Sequence, residues 1–334
     1  MKRNATLLVL AGALLASVVI SVAVGPVWIP PQKIAAILTN LVVPTNRTWS
    51  DAEAIIVYQI RLPRTFMALL VGAGLAVAGV AMQALFKNPL ADPYVLGASS
   101  GAGFGAALVI SLGLVSAIFV PPAAFAGAVI ATFTVYALSM IGPRSSVSLL
   151  LLSGIALSTL FSALISYLMF VAGENLHQLV FWLMGGLWAS RWEYVEITFP
   201  IILIGTIVIY AYARDLNLML SGEESAQHLG VAVENLKKIL LVTVSFVVGV
   251  AVAFCGIIGF VGLIVPHVVR TFTGPDHKAL IPASALFGSI LLIWADIVAR
   301  SAIPGSEMPV GIITALLGAP FFMYLVWSRR KNIF

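Results

Sequence analysis

Few residues in this chain could do chemistry, and their spacing matches no catalytic motif. The 334 residues include four histidines and a single cysteine, Cys255, so the sequence holds no cluster of thiols and imidazoles with metal-ligand spacing. It has no phosphate-binding loop, no H-E-x-x-H pair and no serine nucleophile elbow. The sequence therefore predicts that this chain is not an enzyme and carries no catalytic residue, no metal site and no cofactor of its own.

Ionisable residues within apolar stretches are the remaining candidates, because a charge at membrane depth is costly and is usually paired or functional. Asp296 and Arg300 are four residues apart, so they can pair along one helix face. We interpret this pair as structural. Asp296 still leaves open an alternative function, an ion-coupled secondary transporter that acts without an ATPase, although few other residues could serve a proton relay.

A polar segment at residues 214–238 separates two apolar stretches and is a candidate contact surface. Ser221 can cap a helix there, with Glu224 three residues later as its capping-box partner. Gly230 could end that helix, and residues 231–238 could begin a second one. The pattern predicts two short, mostly polar helices that form either a solvated connector or a docking surface for a cytoplasmic partner.

The elements that carry these residues are apolar helices. Hydrophobic residues make up 61% of the sequence, charged residues only 9%, and the mean hydropathy is +1.08, whereas a soluble domain has about 25% charged residues. We therefore predict an all-α integral membrane protein, one transmembrane domain over residues 1–334, with about ten spanning helices of roughly 20 residues. The predicted stretches are Ala5–Val27, Thr65–Leu85, Val95–Leu114, Ala117–Ile141, Val147–Ala172, Val195–Ala213, Ile239–Cys255, Ile257–Val269, Leu280–Ala299 and Val310–Trp327.

Basic residues set the expected orientation. The net charge is +5, and with a cytoplasmic amino terminus most of the 18 lysines and arginines fall inside, which supports a topology with both termini inside. This distribution explains the charge without nucleic acid as a partner. Arg61, Arg64 and Arg300 lie outside against this trend, and they either snorkel to the interface or form a basic rim that binds something acidic. Between the first two spans, Lys33–Leu41 could form a short helix on the outer surface.

Four long segments carry a resemblance to a known family. They are RLPRTFMALLVGAGLAVAGVAMQALFKNPLADPYVLGASSGAG at residues 61–103, GEESAQHLGV at 222–231, GIIGFVGLIVPHVVR at 256–270, and ADIVAR with MPVGIITALLGAPFF within 295–322. Over nearly its whole length the sequence resembles the FecCD family, the permeases of iron-siderophore, haem and vitamin B12 ABC importers.

This resemblance implies a type II ABC importer permease fold. It implies a homodimer in the cell (inner) membrane, with the transport pathway at the two-fold axis. It also implies two cytoplasmic ATPase subunits, which hold ATP and Mg²⁺, and an extracytoplasmic substrate-binding protein. The implied function is import of a metal chelate by alternating access, and ferric siderophores, haem, cobalamin and molybdate all remain open as substrates. A receptor or scaffold without transport is a further alternative.

The resemblance also implies roles for individual residues. Part of the 214–238 loop is similar to the coupling helices that fit a cleft in the ATPase, and the outer arginines are similar to residues that pair with glutamates on the binding protein. A lone outer histidine does not by itself indicate a haem or metal ligand. We expect ATPase coupling at Ser221, Gly222, Glu223, Glu224, Ala226, Leu229 and Gly230, binding-protein docking at Arg61, Arg64 and Arg300, and pathway lining at Met82, Gln83, Leu85, Gly97, Gly101 and His177.

Overall fold

The computed structural model describes residues 2–40, 47–116, 118–141, 144–303 and 305–330. Within these ranges the chain is almost entirely helical. Some predicted boundaries lie outside the described residues. They are the two ends of the domain, at residues 1 and 331–334, the start of the fourth span at Ala117, and the end of the predicted surface helix at Leu41.

Fifteen α-helices follow one another along the described chain. A hairpin of two short antiparallel strands, β1 (Met140–Ile141) and β2 (Arg144–Ser145), joins the sixth helix to the seventh. The helices are α1 (Lys2–Ala23), α2 (Pro31–Thr39), α3 (Asp51–Ile55), α4 (Leu62–Leu85), α5 (Ala98–Ser111), α6 (Val120–Leu138), α7 (Val147–Val171), α8 (Leu176–Leu183), α9 (Trp192–Ala211), α10 (Ala213–Met219), α11 (Glu223–His228), α12 (Val233–Cys255), α13 (Val261–Thr273), α14 (His277–Ser301) and α15 (Val310–Arg330).

Ten apolar helices of the described chain correspond to the ten predicted stretches. Seven spans of the described chain are long and apolar enough to cross a membrane by length and composition. One is the continuous unit Asp51–Leu85, which includes α3 and α4, and the other six are α1, α6, α7, α9, α12 and α14. Three shorter apolar helices, α5, α13 and α15, account for the other stretches. The hydropathy pattern therefore predicted the helices correctly, because a chain in lipid satisfies its backbone polar groups within helices.

Helix α4 lies at the centre of the bundle, and 83% of the residues in its most apolar stretch are buried within the chain. It packs against α14, α13, α9 and α12. Gly72 of α4 faces Gly288 of α14 so closely that a Cβ atom on either residue would overlap the carbonyl of the other. Small residues at such a crossing let two backbones approach each other, which is how helices associate in lipid.

A small second core lies beside the start of α4. The short helix predicted at residues 33–41 is present as α2, and its Ile34 and Ile37 point inward against Trp49 and Val57. Ser50 caps α3 through a capping box with Glu53. A six-residue π-helical turn, Ile56–Arg61, then connects α3 to α4. This lobe fixes the position of the arginines at the entry to α4.

The chain unwinds between α12 and α13, where the sequence predicted only a soft boundary. The freed backbone groups find partners on neighbouring segments, as burial in an apolar bundle requires. The Cys255 carbonyl accepts from Gly186 N at 2.7 Å, and the Ile258 carbonyl accepts from the Tyr94 hydroxyl at 2.9 Å. These contacts hold the unwound turn against the segment before α5 and the loop after α8.

Candidate functional site

Charged side chains meet at the predicted outer end of α4 and α14, in what we call the outer cluster: Arg64, Asp296, Arg300 and Glu307. Arg64 Nε donates to Asp296 Oδ1 at 2.8 Å, and Arg64 Nη1 donates to Glu307 Oε2 at 2.8 Å. Arg300 Nε lies 3.4 Å from Asp296 Oδ2, so the pairing predicted from their four-residue spacing is confirmed. The Asp296 carboxylate thus joins α14 to α4 through the Arg64 guanidinium, while Arg300 pairs with it along α14.

Arg61 and Arg300 also hold the end of α1. Arg61 Nη1 donates to the carbonyls of Val22 at 2.8 Å and Ala23 at 3.0 Å. Arg300 Nη2 donates to the Ser21 carbonyl at 2.7 Å and to its hydroxyl at 2.9 Å. These carbonyls belong to the last turn of α1, where few donors of the helix itself remain, and Ile29 N also donates to the Ala23 carbonyl at 3.3 Å. The arginines therefore act as C-terminal caps for that helix.

The prediction of an exposed basic rim is wrong for this chain. Arg61, Arg64 and Arg300 are 3%, 5% and 5% exposed, because each guanidinium is satisfied within the bundle. The solvent-facing member of the outer cluster is acidic: the side chain of Glu307 is 39% exposed. Sequence reasoning missed Glu307, which no helix periodicity connects to Arg64.

The inner polar segment folds differently from the prediction. Gly222, with φ of 116°, is the N-cap of α11, and no side chain caps this helix. The capping-box role of Ser221 is therefore wrong, because glycine supplies a backbone conformation that places the helix start one residue later. The predicted second short helix is also wrong, since α12 begins at Val233 and continues as a membrane span.

The predicted coupling residues divide into buried and exposed groups. We call residues 213–230, which include α10 and α11, the inner docking segment. Ala226 is fully buried, so it packs α11 against the rest of the chain, and its role in ATPase coupling stays a prediction. Glu223 is paired within the chain, its Oε2 2.8 Å from Lys237 Nζ. Ser221, Glu224, Leu229 and Gly230 are exposed, and Leu229 presents an apolar side chain that is 59% exposed.

Most of the predicted pathway residues lie in the packed interior. Met82, Gln83 and Leu85 are at most 3% exposed, although Gln83 lines a cavity of about 410 Å³ with Lys87 and Arg270, so their lining of a pathway stays a prediction. Gln83 instead connects two helices, since its Nε2 donates to the Leu263 carbonyl at 3.1 Å and its Oε1 accepts from Arg270 at 3.1 Å.

The remaining pathway candidates divide in the same way. Gly97 has φ of 77° and caps the start of α5, and a Cβ atom on Gly101 would overlap the Gly127 carbonyl of α6, so both glycines serve packing. His177 is exposed, and its ring lies 4.6 Å from that of Phe181. Of the six candidates, only His177 is exposed.

The sequence analysis missed the exposed face of α7. Only 11% of the residues in the most apolar stretch of this helix are buried within the chain. Thr159, Ser162 and Ser166 are exposed there and recur at helical spacing, although two of them donate to carbonyls of their own helix. Polar groups in a membrane span usually face a bundle interior or a wet cavity rather than lipid. The spacing of these hydroxyl groups within an apolar stretch could have indicated a pathway-facing side of α7 from the sequence.

Asp92 is an acidic residue that the sequence analysis did not select. Its Oδ1 accepts from Tyr94 N at 2.8 Å and caps a 3₁₀ turn, Pro93–Leu96, before α5. Burial raises the pKa of Asp92 to about 6. With Phe260 and Phe322 it lines an open cavity of about 510 Å³. With Asp296, it is one of the ionisable residues on which the ion-coupled alternative would have to rely.

The outer cluster yields a stability prediction. Replacing Asp296 with alanine leaves two buried guanidinium groups undercompensated, which costs about 3–5 kcal/mol. Glu307→Gln removes a half-exposed partner and should cost only about 0–1 kcal/mol. Melting temperatures of the purified protein in detergent would measure both variants. Equal melting temperatures for the two variants would contradict the assignment of Asp296 as the central ion of the cluster.

Comparison with known proteins identifies the family. The model of the FecCD transport family matches residues 13–328. The chain is 50% identical to the cobalamin import system permease protein BtuC of Halobacterium salinarum, over 84% of this chain and 75% of that protein. It is 41% identical to the Fe(3+)-citrate import system permease protein YfmE of Bacillus subtilis, over 98% and 96%. A solved structure, described as an inward-facing conformation of a metal-chelate type ABC transporter, has a TM-score of 0.82 at 35% identity and covers 96% of this chain and 98% of that one. The chain is therefore a multi-pass membrane protein that belongs to the FecCD transport family.

Proposed function

We propose that this chain is the permease subunit of an ATP-driven importer that moves a metal chelate into the cytoplasm by alternating access. The observation that carries the proposal is the match to the FecCD transport family along nearly the whole chain. The sequence itself has no nucleotide-binding motif. A separate ATPase subunit, present twice in the assembly, would hold ATP and Mg²⁺ and supply the driving force.

The inner docking segment is the proposed contact with the ATPase. It leaves Glu224 exposed in the first turn of α11 and Leu229 exposed just after the last residue of that helix, while Ala226 anchors the helix to the rest of the chain. An apolar side chain with an acidic neighbour suits a cleft on a partner protein, since buried anchors dominate binding energy and surrounding charges set specificity. With this segment in the cytoplasm, both termini are also cytoplasmic.

A homodimer would cover exposed apolar faces of two membrane helices. The face of α7 carries large apolar residues such as Leu160 and Phe170 beside its hydroxyls, and α15 exposes Leu316 and Tyr324. We propose that α7 and α15 of two copies meet around the two-fold axis. The hydroxyls of α7 would then line a weakly polar pathway, which suits a bulky ligand that must bind loosely and leave.

An extracytoplasmic binding protein is the proposed outer partner, which places the chain in the cell (inner) membrane. The three buried arginines would act beneath the docking surface rather than on it. Arg64 is already paired with the half-exposed Glu307, and Arg64 Nη2 has no hydrogen-bond partner. An acidic residue of the docked protein could compete with Glu307 for this guanidinium, because charge-assisted contacts to arginine are strong.

The substrate class follows from the relatives. One is named for cobalamin, another for ferric citrate, and a similar solved structure is described as a metal-chelate transporter. These ligands share a metal ion wrapped in a bulky organic shell. Cobalamin is the first substrate to test, because the relative at 50% identity carries that name. Ferric siderophores and haem follow.

Uptake into proteoliposomes tests the proposed function. We expect accumulation of labelled cobalamin, haem or a ferric chelate only when the ATPase, the binding protein and internal ATP are all present. Omission of each component in turn is the control. Uptake by the chain alone, driven by an ion gradient, would instead establish the secondary-transporter alternative and direct attention to Asp92 and Asp296. No flux under any condition would favour a receptor or scaffold.

A substitution on the inner docking segment tests the ATPase contact. Leu229→Asp places a charge where we propose that an apolar side chain enters a cleft, so the affinity for the ATPase should fall about tenfold or more. Asn235→Ala, exposed near the start of α12 and outside this segment, is the matched control. Binding of purified ATPase to the permease in detergent would be measured by titration. Equal affinities for the two variants would remove Leu229 from the interface.

A further inference from the structure

Lys237 carries a buried positive charge directly beneath the inner docking segment. It is only 1% exposed, although it lies within the first turns of α12 close to the cytoplasmic surface. A buried ammonium is costly unless its hydrogen bonds are satisfied by charged or polar partners. The partners of this side chain therefore indicate why the chain tolerates it.

Three different elements supply those partners. Lys237 Nζ donates to Glu223 Oε2 of α11 at 2.8 Å, to Glu234 Oε1 of α12 at 3.0 Å and to the Ser145 carbonyl of β2 at 3.1 Å. An ammonium has three hydrogen-bond donors, and all three are used here. We call these four residues, Ser145, Glu223, Glu234 and Lys237, the inner cluster.

Glu234 closes the inner cluster. Its second carboxylate oxygen, Oε2, accepts from the backbone N of Ser145 at 2.9 Å and from the Ser145 hydroxyl at 3.0 Å. The hairpin strand β2 is therefore held from both sides, by the ammonium at its carbonyl and by the carboxylate at its amide. The ammonium contact cannot be lost without leaving the buried charge of Lys237 undercompensated, whereas the Glu234 side chain is partly exposed.

The strand β2 leads directly into α7. Ser146, the next residue, is the N-cap of α7, and its backbone N donates to the Ser139 carbonyl at the end of α6 at 3.1 Å. The inner cluster thus places the docking helix α11 on one side of a single ammonium and the start of the exposed spanning helix α7 on the other.

We propose that Lys237 is a positioning residue that transmits movement of the ATPase-docking helix α11 to the cytoplasmic start of α7. This inference rests on the proposed function, since it takes α11 as the point where the ATPase acts. When α11 moves, separation of Glu223 from Lys237 or of Lys237 from Ser145 leaves a buried charge undercompensated. The three elements therefore move together, and nucleotide state biases the position of the pathway helix.

The first test compares transport with ATP hydrolysis in the assembled transporter. Lys237→Met keeps the length of the side chain but removes the ammonium, and Lys238→Met, at an exposed neighbouring position, is the matched control. We expect Lys237→Met to lower uptake per ATP hydrolysed by about fivefold or more, within the usual range of coupling between sites. Lys237→Arg should recover part of the loss. Uptake per ATP equal to that of Lys238→Met would overturn the proposal.

A second variant covers the case in which Lys237→Met does not fold. Glu223→Gln weakens only the link to α11, because Lys237 keeps Glu234 and the Ser145 carbonyl. Spin labels at Gln227 of α11 and Ser148 of α7, both exposed, report the distance between the two helices. We expect a narrow, nucleotide-independent distance distribution in the parent chain and a broad one in Glu223→Gln.

The distance measurement tests the link between α11 and α7 separately from the proposed transport function. It does not depend on uptake, so a failure of ATP-driven transport would refute the proposed function while the mechanical link is still decided. If Glu223→Gln leaves the distance distribution as narrow as in the parent chain, α11 and α7 are not held together through Lys237, and the inference is wrong.

Discussion

Charge enclosed in an apolar helix bundle has to be neutralised by contacts within that bundle, and this constraint shapes both ends of the molecule. Only 9% of the residues are charged. At the outer end, Asp296 joins two arginines and so ties α4 to α14. At the inner end, Lys237 ties the short helix α11 to the hairpin before α7. Because a buried charge is destabilising without its partners, each of these ions holds the elements that supply those partners together.

Between these joints the chain is unevenly packed. Helix α4 is enclosed by α9, α12, α13 and α14, with glycines at its closest crossing. Helix α7 lies at the periphery and leaves its hydroxyls uncovered. We propose that this arrangement, a buried central helix beside an uncovered peripheral one, serves a dimer in which the pathway opens and closes where two such uncovered faces meet.

The sequence predicted the helices and failed on most contacts between them. Hydropathy identified the spans because lipid permits few other structures, and the four-residue spacing predicted the pairing of Asp296 with Arg300. The contact of Arg64 with Asp296 joins residues 232 positions apart, which no local pattern encodes. Positive-outside arginines looked like a docking rim, but helix ends and carboxylates within the bundle satisfy them. Ser221 looked like a cap, but the adjacent glycine supplies the required backbone conformation.

The central claim is that nucleotide on a partner changes which side of the membrane the α7 face is open to. A single cysteine at Ser162, in a chain whose native Cys255 is replaced by serine, can be tested with a membrane-impermeant thiol reagent. Leu8→Cys, at a lipid-facing position that is 74% exposed in the chain, is the control. The account predicts that, in the assembled transporter, ATP changes the rate at which Ser162→Cys is labelled from a given side, while Leu8→Cys stays unlabelled. The same labelling rate at Ser162→Cys with and without nucleotide would contradict it.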